Sequence, residues 1–490
     1  MTLREITPCQ NSTNRVSDEL CNGGGLSETV MVPDRDAYGS EEQYRACIDT
    51  VLRSFDAKLD VAKRQQLGYP IFHARDHVDE LDLSPLERFS AAALNNVGDP
   101  QRAGVFSSHS HPFELGVLHW FAHLFDMHDF WGYVASGGSE SNMEALFIAR
   151  ETLPTAMTYI SAEAHFSVLK ALRVLRMNYE VIATTETGEM DYADLERALN
   201  ASPYRHAIVV ATCGTTMRGA IDSPRKIVDL LASCRITEFY LHVDAALSGI
   251  FIPLLDASML SFTTVPISSI CVSGHKFLGV PIPCSTFLVR QKFVEGMTSS
   301  QVQYIGSNDL PMACSRNGLY VVDGWPTPRP TNLTHARTHH ARILSRAPLY
   351  LWLMLSELGR SRIKADAIRC MEYARDMANT LNANGIEAFL NPMSITVVIS
   401  RRCVSDDFAR AWQLACSDSI CHVVVMPHIR KATLDSFCDA LINDNSNKAV
   451  YGSAMKRLGA SQSLSPTCVM NLSPDGLRPG ETGHHEDSAS

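Results

Sequence analysis

No apolar run in this 490-residue chain approaches the roughly 18 residues that a membrane-spanning helix needs, so no such span is expected. The opening stretch, Met1-Thr2-Leu3-Arg4-Glu5-Ile6-Thr7, has no apolar core of a secretory leader. An excess of basic charge is missing too. Lys and Arg number 43 against 53 Asp and Glu, and the net charge of −10 gives no reason to expect nucleic acid or an anionic membrane as partner. The fourteen cysteines include no Cys-x-x-Cys pair, and Cys213 and Cys271 fall in apolar, strand-like runs. Reduced thiols in a cytosolic chain explain that usage better than a disulfide framework or a zinc site. No internal repeat is present.

With 45% hydrophobic residues the chain can bury a large core, and one large plus one small domain is expected. Residues 1–40 are rich in Ser, Asn and Gly without a sustained period and read as a flexible arm. The next segment, 41–110, begins with a predicted helix over about 41–66, where Ile48, Val51, Leu52 and Phe55 share one face, and is taken as helical. Over 111–318, apolar strands such as Ala207-Ile208-Val209-Val210-Ala211-Thr212 and Ser268-Ser269-Ile270-Cys271-Val272 alternate with amphipathic helices. That is the pattern of an α/β domain with a mainly parallel sheet, and ligands of such sheets sit outside the carboxyl ends of the strands. A small C-terminal α/β domain is expected over 347–442, and the Ser-, Asn-, Gly- and Pro-rich stretch 443–490 reads as a disordered tail.

One pair of residues carries the chemistry. Lys276 lies in Ser273-Gly274-His275-Lys276, downstream of Asp244, which ends the apolar run His242-Val243-Asp244-Ala245-Ala246. A lysine among small residues and an aspartate at a strand end are what a pyridoxal 5′-phosphate site requires. The lysine bonds to the aldehyde, and the aspartate holds the pyridinium proton. Gly137-Gly138-Ser139 reads as a strand-to-helix turn whose free N–H groups suit a phosphate, with Gly138 and Ser139 as its contacts. His165, just after the strand-like Tyr159-Ile160-Ser161, can stack on the reacting face of the ring, while Ala246 leaves room on the other. Ser273 and His275 can reach the phosphate, and Thr215 and Thr216 can position ring substituents.

Taken together, these segments resemble the group II pyridoxal-phosphate decarboxylases, in the branch of bacterial histidine decarboxylases and plant serine decarboxylases. The likeness runs from about Leu67 to about Pro427. It includes Asn95-Asn96-Val97-Gly98-Asp99-Pro100, His165-Phe166-Ser167-Val168, Gly214-Thr215-Thr216-Met217-Arg218-Gly219, Ser273-Gly274-His275-Lys276 and Ser315-Arg316-Asn317-Gly318. The resemblance implies an aspartate-aminotransferase-type fold (fold type I of these enzymes) and a homodimer with shared active sites. It also implies that Tyr304, on the family's mobile loop, donates a proton to the site of the neighbouring subunit. An inactive or regulatory homologue retaining the fold is the alternative of another class.

The implied reaction is decarboxylation of an L-amino acid to its amine and CO2, with Lys276, Tyr304 and His165 catalytic. L-histidine, giving histamine, is the first substrate expected, with L-serine (to ethanolamine) or an aliphatic amino acid as alternatives. His109 and His111, in Ser107-Ser108-His109-Ser110-His111, are expected with His165 at the substrate. The plant serine-type segment has His-Ser-Arg where this chain has His109-Ser110-His111. Asp244-Ala245-Ala246-Leu247-Ser248-Gly249 and Pro281-Ile282-Pro283-Cys284 look more like the bacterial histidine type. The family pattern is interrupted over 319–346, where Pro326-Thr327-Pro328-Arg329-Pro330 and three histidines, His335, His339 and His340, lack hydrophobic periodicity. A lineage-specific loop, a regulatory or interface loop and retained intron sequence all account for it. Apart from Asp323 the stretch has no acidic residue, and without carboxylate or Cys partners at ligand spacing the histidines read as a basic solvated loop, so no metal is expected.

Overall fold

The computed structural model describes residues 35, 38–72, 84–89, 94–102, 104–297, 301–319 and 347–457. Most of the expected arm, the interruption beyond Leu319 and residues 458–490 lie outside them. The chain forms two units, Met1–Ile442 and Asn443–Ser490. The second contains the end of a helix.

Helix α1 (Glu41–Gln65) starts where the Ser40 hydroxyl accepts from Gln43 N, with Glu41 and Glu42 in its first turn to complement the N-terminal dipole. Its apolar face is the one expected, but Leu52 is 61% and Phe55 55% exposed. The helical reading of 41–110 holds only in part. A 3-10 turn spans Ser84–Phe89, and a short strand at Leu94–Asn95 leads into irregular backbone over the described residues up to Ser110. Asn96 explains the change: its side-chain oxygen accepts from Ser110 N and Oγ, so side chains there satisfy the backbone in place of a helix.

The principal sheet is built from β1 (Phe130–Ala135), β2 (Met157–Ser161), β3 (Tyr179–Ile182), β4 (His206–Thr212), β5 (Glu238–Asp244), β6 (Ser269–Ser273) and β7 (Ser285–Arg290). Their spatial order is β1-β7-β6-β5-β4-β2-β3. Strands β2 to β6 pair in parallel, and β7 runs antiparallel to both β6 and β1. The apolar runs are unbroken because both faces are covered. Val209, Ala211, Leu241, Val243, Ile270 and Val272 enter one core; Ile208, Val210, Tyr240, Cys271 and Phe287 enter the other. Each buried Val, Leu or Ile among them contributes about 1.5–3 kcal/mol by leaving water.

A second, antiparallel sheet has the order β8-β9-β11-β10, from β8 (Ala388–Leu390), β9 (Thr396–Ser400), β10 (Ala415–Cys416) and β11 (Ile420–Val424). Its buried residues run into the same core as those of the principal sheet, so the two sheets pack within one unit. The segment Leu67–Gly68 is tied to it: Val424 N donates to Leu67 O at 2.8 Å, and His422 Nε2 donates to Gly68 O at 2.9 Å. A Cβ on Gly68 would lie 2.3 Å from Ala415 N, so glycine is required by the close approach of backbones. The last helix, Lys431–Arg457, runs past residue 443, correcting the tail boundary. No proline interrupts that stretch before Pro466, and Asn and Ser lower helix propensity without stopping a helix.

Candidate active site

Five strand ends meet at one edge of the principal sheet. Asp244 ends β5, Thr212 ends β4, and Ser273 ends β6 three residues before Lys276. His165 follows β2, and Gly137-Gly138 follows β1, opening α2 (Gly138–Thr152). They enclose a cavity of about 320 Å³ whose walls include Gly138, Ser139, Asn142, His165, Thr216, Asp244, Ala246, Ser273, His275 and Lys276. This is the crevice that parallel-sheet topology predicts.

Asp244 is buried, and Lys276 stands half-buried in the same cavity wall. Burial holds the Lys276 amine below the usual lysine range, while the Asp244 carboxylate pulls the other way. The direction is the one that favours a lysine acting as a nucleophile. Asp244 accepts from Asn142 Nδ2 through Oδ2 at 2.8 Å and from Ala246 N through Oδ1 at 3.2 Å. Asn142 is therefore a central residue of the site, and the sequence reading gave it no role. It lies on the first turns of α2, four residues after Gly138 and so on the same helix face. His242 was missed too, although it precedes Asp244 by two on a strand and must share its face.

These groups form a closed network. His242 Nε2 donates to Asn142 Oδ1 at 2.9 Å, and Ser269 Oγ lies 2.9 Å from His242 Nδ1. Burial lowers the His242 pKa to about 4, so the ring is neutral, with its proton on Nε2. The second hydrogen of the Asn142 amide goes to Ser167 Oγ at 3.0 Å, and Ser167 Oγ lies 2.7 Å from His165 Nδ1. Ser167 N also donates to Nδ1, leaving Nε2 as the proton-bearing nitrogen of His165, whose pKa burial lowers. His275 is pinned by Cys284 N, which donates to Nδ1 at 3.1 Å.

The residues present fit pyridoxal phosphate. No side chain caps α2 at Gly137, so amides of its first turn are open to an anion. A Cβ on Gly138 would sit 3.3 Å from Ser273 Oγ and 3.6 Å from Ala246 Cβ, intruding between the walls where a phosphate and ring would lie. Glu140, the one acid beside this turn, is drawn to Ser136 through its backbone N–H and hydroxyl.

Four expected contacts fall elsewhere. Thr215 is fully buried, and its hydroxyl accepts from Ala220 N at 3.0 Å, closing the turn rather than lining the cavity as Thr216 does. His109 and His111 stack on each other with ring centroids 4.1 Å apart, also outside the cavity walls. Burial, then the Arg316 charge, lowers the His111 pKa to about 3. Tyr304 is 80% exposed on a turn between Gln301–Val302 and Ser307–Asn308. The segments Asn95–Pro100 and Ser315–Gly318, far apart in sequence, meet over a buried ion pair. The Arg316 guanidinium binds Glu114 and donates to Gly98 O at 2.8 Å, while Glu114 also accepts from Asn96 Nδ2 and Val134 N.

The profile of the family described as "Pyridoxal-dependent decarboxylase conserved domain" matches residues 109–401. The chain is 38% identical over 380 residues to serine decarboxylase 3 of Oryza sativa subsp. japonica, covering 77% of each chain. It is 36% identical over 406 residues to histidine decarboxylase of Solanum lycopersicum, covering 82% of this chain and 90% of that one. The fold is similar to L-methionine decarboxylase from Streptomyces sp.590, with a TM-score of 0.70 at 22% identity over 86% of this chain and 98% of the other. The chain belongs to the pyridoxal-dependent decarboxylases, in the group II branch of histidine and serine decarboxylases, and is a pyridoxal-phosphate-dependent carboxy-lyase acting on an amino acid.

Proposed function

We propose that this enzyme converts L-histidine to histamine and CO2. The observation that carries the substrate is the likeness of Asp244-Ala245-Ala246-Leu247-Ser248-Gly249 and Pro281-Ile282-Pro283-Cys284 to the bacterial histidine type, with Asp244, Ala246 and Pro283 lining the cavity. Where the plant serine-type segment has an arginine, this chain has the buried, neutral imidazole of His111, which departs from the serine type although it stands outside the cavity walls. The cavity lining agrees with a neutral substrate side chain: of its charged groups, Glu140 is taken by Ser136, Asp244 by Asn142, and Lys276 is the amine.

When bound, pyridoxal phosphate supplies the electron sink for the pair left behind as CO2 departs. Lys276 would hold its aldehyde carbon, Asp244 its ring nitrogen proton, and Gly138, Ser139, Ser273 and His275 its phosphate. Ala246 is small enough that it would leave room for the ring on one side, and His165 would cover the other. Thr216, in the cavity wall, would position ring substituents. Tyr304 delivers the proton to Cα. Its exposure and its place outside its own chain's cavity support a shared site in a homodimer, with the tyrosine entering the neighbouring subunit. The described cysteines are all free thiols, and no described helix is long and apolar enough to cross a membrane, which supports a cytoplasmic location.

Incubating the purified holoenzyme with each of the twenty amino acids and quantifying amines tests this reading. Histamine from L-histidine at the highest kcat/KM is expected. Ethanolamine from L-serine as the main product would overturn the substrate.

A further inference from the structure

At the edge of the antiparallel sheet, the hairpin β10–β11 places two sulfurs inside van der Waals contact. Cys416 and Cys421 are direct cross-strand partners, with Sγ–Sγ 2.7 Å and both residues free. Ser417 N donates to Ile420 O at 2.7 Å, so the next pair, 416 with 421, is a non-hydrogen-bonded position of the ladder. Backbones approach most closely there, to about 4.5 Å between Cα atoms. That lies within the roughly 4.4–6.8 Å that a disulfide spans. Among the described residues no group of three or more His, Cys, Asp or Glu gathers as a cation site, so the pair lacks the further ligands of a zinc clamp.

The two thiols differ in access. Cys416 is exposed and Cys421 is fully buried. Burial, and then the Cys416 sulfur, push the Cys421 thiol up to about 12. An incoming oxidant therefore meets Cys416 first, with Cys421 behind it as the resolving thiol.

We propose that Cys416 and Cys421 form a reversible modification site that closes to a cross-strand disulfide when a low-molecular-weight disulfide oxidises them. The Cys416 thiolate attacks one sulfur of the small disulfide, whose S–S bond breaks and releases one small thiol. Cys421 loses its proton to solvent and attacks the Cys416 sulfur, and the second small thiol leaves. Two protein thiols are oxidised and one small disulfide is reduced to two thiols, which carry off the protons. The bond fixes the edge strand β10 to β11, the strand whose His422 and Val424 hold Leu67–Gly68.

The test equilibrates the full-length holoenzyme with graded ratios of oxidised to reduced glutathione, quenches with acid, alkylates free thiols and digests with trypsin. Cleavage after Arg410 and Arg430 gives a peptide, residues 411–430, whose only cysteines are this pair. On oxidation it should become lighter by two hydrogens and lose both alkyl groups, and excess dithiothreitol should restore them. Cys421→Ser should stall with one glutathione on Cys416, and Cys416→Ser should leave Cys421 unmodified. Three wild-type results would each overturn the proposal: two alkyl groups at every ratio, a glutathione retained on Cys416 beside an alkylated Cys421, or pairing with any other cysteine. The wild-type peptide decides the matter if a variant fails to fold.

Discussion

The side-chain amide of Asn142 donates to Asp244 Oδ2 at 2.8 Å, and its orientation is fixed from behind by His242, which donates to the amide oxygen at 2.9 Å. A carboxylate can only accept, so the NH2 end must face Asp244. The same NH2 reaches Ser167, and through it His165. One buried amide therefore orients the groups proposed for the ring nitrogen and for one face of the cofactor.

Asn142→Leu should cost about 1.5–3 kcal/mol, the worth of a hydrogen bond to a charged group, or roughly 10- to 100-fold in kcat/KM. Steady-state kinetics, with cofactor content checked by absorbance, measures it. An unchanged kcat/KM would show that Asp244 is held without the amide.

Lys276→Ala should lose the visible absorbance of lysine-bound cofactor and several orders of magnitude in turnover, because covalent catalysis is removed. A retained absorbance band would mean that another lysine carries the cofactor.

Replacing Asp244 with Asn keeps the shape and removes the charge. Loss of a preorganised electrostatic partner is worth roughly 10²–10³ in kcat. Near-native turnover would refute its role at the ring nitrogen.

Tyr304→Phe should still release CO2 but misdirect the proton, so carbonyl product accumulates beside the amine. In mixed dimers of Tyr304→Phe and Lys276→Ala subunits, a tyrosine acting across the interface gives one site with both native groups, and activity returns in part. Verified mixed dimers without activity would refute the shared site.

Buried groups set a pH dependence of stability with two opposing signs. Burial depresses His111 to about 3 and His242 to about 4, so these rings contribute stability that is full above about pH 6.5 and is lost as pH falls through those values. Burial raises the carboxyls of Glu144 and Asp222 to about 7, so their contribution is present below about pH 4 and is lost as pH rises through 7. Between pH 6.5 and 4 the pairs offset one another. His111→Gln should remove one acid-sensitive group and shift the slope of unfolding free energy in that window by up to about 1.4 kcal/mol per pH unit towards greater acid stability. Urea unfolding of both proteins at a series of pH values reads this, and parallel curves would exclude it.

Residues whose role depends on the strand-end rule were legible in the sequence. Lys276, Asp244, Gly138 and His165 each follow or end a predicted strand, and the parallel topology carries them to one edge. Thr215 was misread because its direction depends on a turn: Gly219 at φ 61° brings Ala220 N onto its hydroxyl, which draws it away from the cavity. Asn142 and His242 were visible by periodicity, yet only three-dimensional closure makes them partners. The exposure of Leu52 and Phe55 was hidden, since helical spacing reports that a face is apolar but not what covers it.

The attachment of Leu67–Gly68 to His422 and Val424 joins points some 354 residues apart. Such a contact is costly in loop-closure entropy and adds little until the intervening chain is ordered, so it belongs to the last steps of folding. On the ribosome, where the chain emerges from its N-terminus, the Leu67 carbonyl must wait for almost the whole unit to be synthesised. An unfinished chain ending before His422 would carry all the cavity-lining residues and still lack both partners that hold Leu67–Gly68.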